Sequence, residues 1–299
     1  MNIAIIGGGS IGLLYSFYLN KTHEVTLYTR TDEQANLLNE EGIQLVDGGL
    51  TTRQMVTARS IEEWEGKEEI TVITVKEYQL SSLMPLITEQ INEDGCLFFL
   101  QNGMGHLKRI AKLKWNHIYV GSVEHGAAKM NGNTVAHNGH GVTRCAVYQG
   151  SATQLKKLIN TTTSDFSFAF EQDYHEMLIR KLLVNAVINP LTATLMIPNG
   201  VLLSNPYFYE LASQLFAEVA TVLTIHNKES HFEHIVAVCN KTATNRSSML
   251  KDIEEGRKTE VDAILGYLNE VAMNNEINTP LIRHYYQLIK GKEFEKGGL

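Results

Sequence analysis

Apolar and polar positions fall into two alternating textures along the first half of the chain. Asn2 to Ile6 is a short apolar run closed by three glycines, and Ser10 to Asn20 has helical periodicity. Glu24 to Tyr28 predicts a second strand, Asp32 to Glu41 a second helix, and Ile70 to Val75 and Cys96 to Leu100 two more strands. Strands separated by helix-length segments imply βαβ units and a parallel sheet with helices on its faces. Between Gly121 and Gly150 the pattern changes to short strand-like pieces punctuated by Gly126, Gly132, Gly139 and Gly141, and Phe166 to Phe170 is the last such run. From Tyr174 to Lys290 it is helical throughout. The expectation is an α/β domain over residues 1–170 followed by an all-helical domain over 171–299, with no Pro-rich or Gly/Ser-rich linker between them.

Composition narrows the function classes. Of 299 residues 43% are hydrophobic and 20% charged, enough apolar side chains for a full core. Lys and Arg number 26 against 33 Asp and Glu, a net charge of −7 that argues against a sequence-tolerant nucleic-acid binder. Three widely spaced cysteines, Cys96, Cys145 and Cys239, suit reduced thiols in a cytosolic compartment. The N-terminus lacks the pattern of a signal peptide, and no apolar stretch is expected to approach the ~20 residues that span a bilayer. A cytoplasmic protein with no membrane or nucleic-acid partner is the expectation.

The glycines after the first strand carry the first specific chemistry. Gly7-Gly8-Gly9-Ser10-Ile11-Gly12 contains G-x-G-x-x-G as Gly7, Gly9 and Gly12, between a predicted strand and a predicted helix. In that context Gly7 makes the tight turn, Gly9 lets the main chain approach a pyrophosphate, and Gly12 lets helix and strand pack closely. The helix N-terminus offers unpaired N–H groups to the anion. This reads as a Rossmann-type dinucleotide-binding domain. An NAD site places Asp or Glu at the end of the second strand, about 20 residues on, to hold the ribose. Here Arg30 stands there, a guanidinium suited to a 2′-phosphate, so NADPH is favoured; Asp32 as a ribose ligand is the alternative.

A polar stripe interrupts an otherwise aliphatic helix. Lys181, Asn185 and Asn189 recur every four residues between Arg180 and Thr192, so one helical face carries all three. Buried amides and a lysine need partners, and such a face is expected to look into a cleft. Against this stands a blander pattern, in which Asn189-Pro190 is an N-cap and first-turn proline that start a new helix.

Together with Val75-Lys76, Gln101-Asn102-Gly103, His125-Gly126-Ala127-Ala128, Pro198-Asn199-Gly200, Ser247-Ser248-Met249-Leu250 with Asp252, and Thr259-Glu260-Val261-Asp262, these motifs resemble the 2-dehydropantoate 2-reductase (ketopantoate reductase) family from residue 2 to about 289. The resemblance implies NADPH-dependent reduction of a small-molecule 2-oxo acid, 2-dehydropantoate, to (R)-pantoate, a step toward pantothenate and coenzyme A. It implies Lys181 as proton donor and Glu260 as a catalytic group beside cofactor and substrate. Asn102, Asn185, Asn189, Asn199 and Ser248 would contact substrate. The cofactor would lie along Gly7, Gly8, Gly9, Ser10, Ile11, Gly12, Arg30, Lys76, Asn102, Ala128 and Glu260.

The chemistry makes independent sense of these types. Hydride delivered to a ketone leaves an alkoxide, and a partly buried lysine is both a cation and a proton donor for it. Neutral amides and a hydroxyl orient a substrate bearing a carboxylate and a hydroxyl.

Other readings remain at this point. Thr259-Glu260-Val261-Asp262 also fits a capping box and Ser248 a helix start. The scaffold could reduce another 2-oxo acid, or serve as a nucleotide sensor without turnover. His231, Glu233 and His234, with Cys239 beyond, lack the spacing of paired histidine ligands, and His137 and His140 read as part of a turn, so no metal is expected. A homodimer is left open.

Overall fold

The computed structural model describes residues 1–90, 92, 94–295 and 297. The chain divides into two units. The first comprises Met1–Gln101 with Arg109–Met177, and the second Asn102–Lys108 with Leu178–Leu299.

The first unit is built on an eight-stranded sheet. Its strands are β1 (Asn2–Ile6), β2 (Glu24–Thr29), β5 (Thr57–Ser60), β6 (Ile70–Ile73), β7 (Cys96–Phe99), β8 (His117–Val123), β11 (Thr143–Gln149) and β12 (Phe168–Phe170). They run in the order β12-β11-β8-β7-β6-β1-β2-β5, all neighbours parallel except β8 and β11. β1, β6 and β7 lie at its centre, and Ile3 to Ile6, Ile70 to Ile73 and Cys96 to Phe99 are buried along their lengths, as strands covered on both faces must be. The helix Ser10–Leu19 is buried from Gly12 onward and packs against the sheet through Leu13, Leu14, Phe17 and Tyr18.

A second sheet in the same unit runs β4-β3-β10-β9, from β3 (Ile43–Asp47), β4 (Leu50–Gln54), β9 (Gly126–Lys129) and β10 (Thr134–Gly139). β3, β4 and β5 carry no signal in the apolar pattern, because β4 is almost wholly exposed and β3 buries only Ile43 and Leu45. His137 lies within β10, so it is a strand residue and not the turn residue the glycine spacing suggested.

The second unit is helical: Val201–Ser204, Pro206–Val222, Lys228–Lys241, Ser248–Glu254, Tyr267–Asn274 and Pro280–Glu295, with a π-helical segment at Asp262–Gly266. Apart from Asn102–Lys108 it begins inside the helix Tyr174–Leu195, which runs unbroken through Pro190. Asn189 therefore does not cap a new helix. That helix is long and apolar enough, by length and composition, to cross a membrane, contrary to the sequence expectation; 78% of its most apolar window is buried inside the protein, the position of a core helix.

Candidate active site

The first strand delivers the glycines as the dinucleotide motif requires. Gly7 holds φ at +115°, a conformation side chains rarely adopt, and its N–H donates to Tyr28 O at 2.9 Å, tying the turn to β2. Thr74 Oγ donates to the carbonyls of Ile6 (2.9 Å) and Gly7 (3.0 Å), fixing it from β6's side. A Cβ on Gly12 would run into the Gly7 carbonyl, so helix and loop approach only because both are glycine. A Cβ on Gly9, the N-cap of the helix, would meet nothing within 4 Å. That open space in front of the N–H groups of Ser10, Ile11 and Gly12 fits a pyrophosphate at the helix N-terminus.

Arg30 follows the last residue of β2 and is exposed; Asp32, the alternative ribose ligand, sits in the first turn of the next helix, capped by Thr31. Gln34 from that helix donates to Gly8 O and Gly132 O, both at 2.8 Å. Ala128 is half-buried on β9, opposite Ala136, and Lys76 is half-buried just after β6. Gln101 ends the first stretch of that unit, its amide donating to Ile73 O (2.9 Å) and Val75 O (2.8 Å).

In the second unit, Asn102 Nδ2 donates to Glu260 Oε at 2.8 Å. Only half of the capping-box alternative around Glu260 forms: the Thr259 oxygen accepts from a following backbone N–H, but the Thr259 N–H is taken by Glu293 and not by Asp262. The N–H and hydroxyl of Thr259 both donate to the buried Glu293 carboxylate (2.7 and 2.6 Å), and its oxygen accepts from Val261 N–H at 3.1 Å. Asp262 accepts from Tyr286 OH at 2.8 Å. The π-helical segment starts two residues beyond Glu260, a local register change of the kind found at functional sites.

Lys181, Asn185 and Asn189 project from one helix, Lys181 half-buried and the two asparagines each 7% exposed. Among the described residues neither asparagine side chain has a hydrogen-bonding partner, whereas Thr192, one turn on, is satisfied by Ile188 O and Ser247 Oγ. Asn199 is as buried as they are; its Nδ2 donates to Thr242 Oγ at 2.9 Å and its Oδ1 has no partner. A buried oxygen left open, as Asn199 Oδ1 is, is costly unless something binds it.

The paired serines divide their work. Ser247 is the N-cap of Ser248–Glu254, accepting from Leu250 N–H (3.1 Å) and from Thr192 Oγ (2.8 Å). Ser248 is exposed and is the first residue of that helix, the helix start its alternative reading gave it, while the cap itself is Ser247.

A histidine cluster in the first unit escaped the sequence reading. Tyr18 OH lies 2.9 Å from His137 Nδ1, His137 Nε2 lies 3.2 Å from His125 Nδ1, and Gly141 N–H donates to His125 Nδ1 at 3.3 Å. Since that His125 nitrogen must accept, His137 donates to it and takes the tyrosine proton on its other side. His140 pairs with Asp47 at 2.9 Å beside the His137 ring. Asp47, His137 and His140 bring ligand-type atoms within 4.8 Å, yet both nitrogens of His137 already have protein partners. Burial first, and then His137, lower the His125 pKa to about 4.

A mainly parallel sheet whose first strand runs through a glycine turn into a helix, joined to a helical unit bearing a lysine, a carboxylate and open amides, defines a nicotinamide-dinucleotide-dependent oxidoreductase. The chain matches the family models for ketopantoate reductase PanE/ApbA over residues 3–150 and for its C-terminal part over residues 173–293. It belongs to the ketopantoate reductase family. It is 40% identical over 295 residues to the 2-dehydropantoate 2-reductase of Bacillus subtilis, covering 98% of both chains. The crystal structure of the probable Bacillus subtilis 2-dehydropantoate 2-reductase superposes with a TM-score of 0.90 at 39% identity, over 98% of this chain and all of that one. A D-mandelate dehydrogenase solved with NADH and anilino(oxo)acetate shares the fold at a TM-score of 0.91 and 23% identity, over the whole of both chains.

Proposed function

We propose that this chain reduces 2-dehydropantoate to (R)-pantoate with NADPH, in the cytoplasm, as a step toward pantothenate and coenzyme A. The observation that carries the reading is the stripe Lys181, Asn185, Asn189, in which two asparagines, each 7% exposed, share one helix with a half-buried lysine. The bound dinucleotide supplies a hydride. Lys181 donates the proton that the developing alkoxide takes up, and its charge stabilises that oxygen as it forms. Asn185, Asn189, Asn199 and Ser248 orient the carboxylate and hydroxyl of the substrate by hydrogen bonds. Glu260, held by Asn102, acts beside cofactor and substrate. Gly7, Gly8, Gly9, Ser10, Ile11 and Gly12 receive the pyrophosphate, Lys76 and Ala128 line the cofactor, and Arg30 reads the 2′-phosphate.

The test is to follow loss of reduced-nicotinamide absorbance with 2-dehydropantoate, pyruvate and 2-oxoisovalerate in parallel. The reading requires 2-dehydropantoate to have the highest kcat/KM. Preference for another 2-oxo acid would reassign the substrate, and tight NADPH binding without oxidation by any of them would make the chain a sensor.

A further inference from the structure

Lys129 ends β9 in the four-stranded sheet and reaches the glycine loop, while Arg30 follows β2 in the eight-stranded one, whose Tyr28 carbonyl accepts from Gly7 N–H. Lys129 Nζ donates to Gly8 O at 2.9 Å. That carbonyl is already held by Gln34 at 2.8 Å, so the ammonium is not needed to satisfy it. One of the three ammonium protons is spent on Gly8 and two are left over. Both cations are exposed and open to an anion from solvent; partial desolvation, and then the charge of Arg30, lower the Lys129 pKa. Among the described residues no carboxylate forms a salt bridge with either cation. A phosphate joining two neighbouring cations would gain from the field of both.

We propose that Lys129 is a second cation for the adenosine 2′-phosphate, acting with Arg30, so that the preference for NADPH over NADH is made by charges from two separate sheets. Arg30 offers a planar fork to the phosphate oxygens, and Lys129 adds a compact charge from the glycine-loop side. The Gln34 amide lies against Gly8 and donates to its carbonyl, holding the loop backbone that Lys129 also reaches. The inference rests on the NADPH reading of Arg30 and extends it to a residue that the dinucleotide motif does not include.

The test uses full-length protein and two probes, 2′,5′-ADP and 5′-AMP, with dissociation constants measured by calorimetry. Lys129→Gln keeps a donor for Gly8 O and removes the charge, and Lys129→Arg keeps the charge. The expected result is about a tenfold loss for 2′,5′-ADP in Lys129→Gln, a change within about twofold for 5′-AMP, and recovery of 2′,5′-ADP binding in Lys129→Arg. Equal losses for both probes would make Lys129 a prop for the loop and overturn the inference, as would no loss for either. A wild-type protein that binds both probes equally would instead overturn the NADPH reading itself, and the inference with it.

Discussion

Asn102 donates its amide N–H to the carboxylate of Glu260 at 2.8 Å, although 158 residues separate them in the chain. Gly103 makes the pairing possible. It holds φ at +77°, and a Cβ there would collide with the carbonyl of Ala263, in the π-helical segment just past Glu260. Gly103→Ala should therefore lower stability by about 1–3 kcal/mol and push Asn102 off Glu260. The expected outcome is a lower Tm together with a fall in kcat/KM of about tenfold or more. Unchanged kinetics at a lowered Tm would show that the pair does not matter to the reaction.

Lys181→Ala removes the proposed proton donor without touching the glycine loop. Turnover should drop by about 10²- to 10⁴-fold, with the NADPH dissociation constant little altered. Stopped-flow turnover alongside cofactor fluorescence separates the two, and near-normal kcat would take lysine out of the mechanism.

The two serines at the start of Ser248–Glu254 should fail in different ways. Ser247→Ala removes a helix cap and the acceptor for Thr192, at a cost of about 1–2 kcal/mol. Ser248→Ala should leave Tm in place and raise KM for the 2-oxo acid. Thermal melts and steady-state kinetics on both variants check the division; a KM effect from Ser247 alone would reverse it.

The histidine cluster predicts acid lability. His125 is held down to about 4, by burial and then by His137, and His137 is itself lowered by burial and then by His140. Tyr18, Asp47 and His140 are the titratable groups against them. In the unfolded chain both histidines return to their ordinary value of 6.5. As pH falls below that value the unfolded chain binds protons that the folded one refuses. Stability is therefore full above about 6.5 and is lost progressively down to about 4, by on the order of 3 kcal/mol for His125 alone. Denaturant melts at successive pH values should show this slope, and His125→Gln should flatten it.

Arrangement along the chain was far more legible than arrangement in space. β1 and the helix Asp32–Glu41 fall at the residues the apolar pattern predicts, because central strands and helix caps are written locally. β3, β4 and β5 were not legible, since an edge strand such as β4 buries almost nothing and alternates nothing. Within the site, the stripe of Lys181, Asn185 and Asn189 shows in the four-residue spacing. That Pro190 leaves the helix whole does not, since it depends on the packing around it. The roles of Ser247 and Thr259 were hidden for the same reason: their partners, Thr192 and Glu293, lie 55 and 34 residues away. Lys129 and the histidine cluster were invisible because only the second sheet brings them to the residues they meet.

The seven residues Asn102–Lys108 belong with the helical unit although both flanking stretches belong with the first. The two units are thus not separable by one cut. A gene fusion that exchanged the C-terminal half at a single crossover near residue 177 would strand Gly103 and Asn102 with a foreign Ala263 and Glu260. Descent should therefore have kept the halves together as one inherited piece, and chimeras between relatives should work only when the exchange carries the short segment as well.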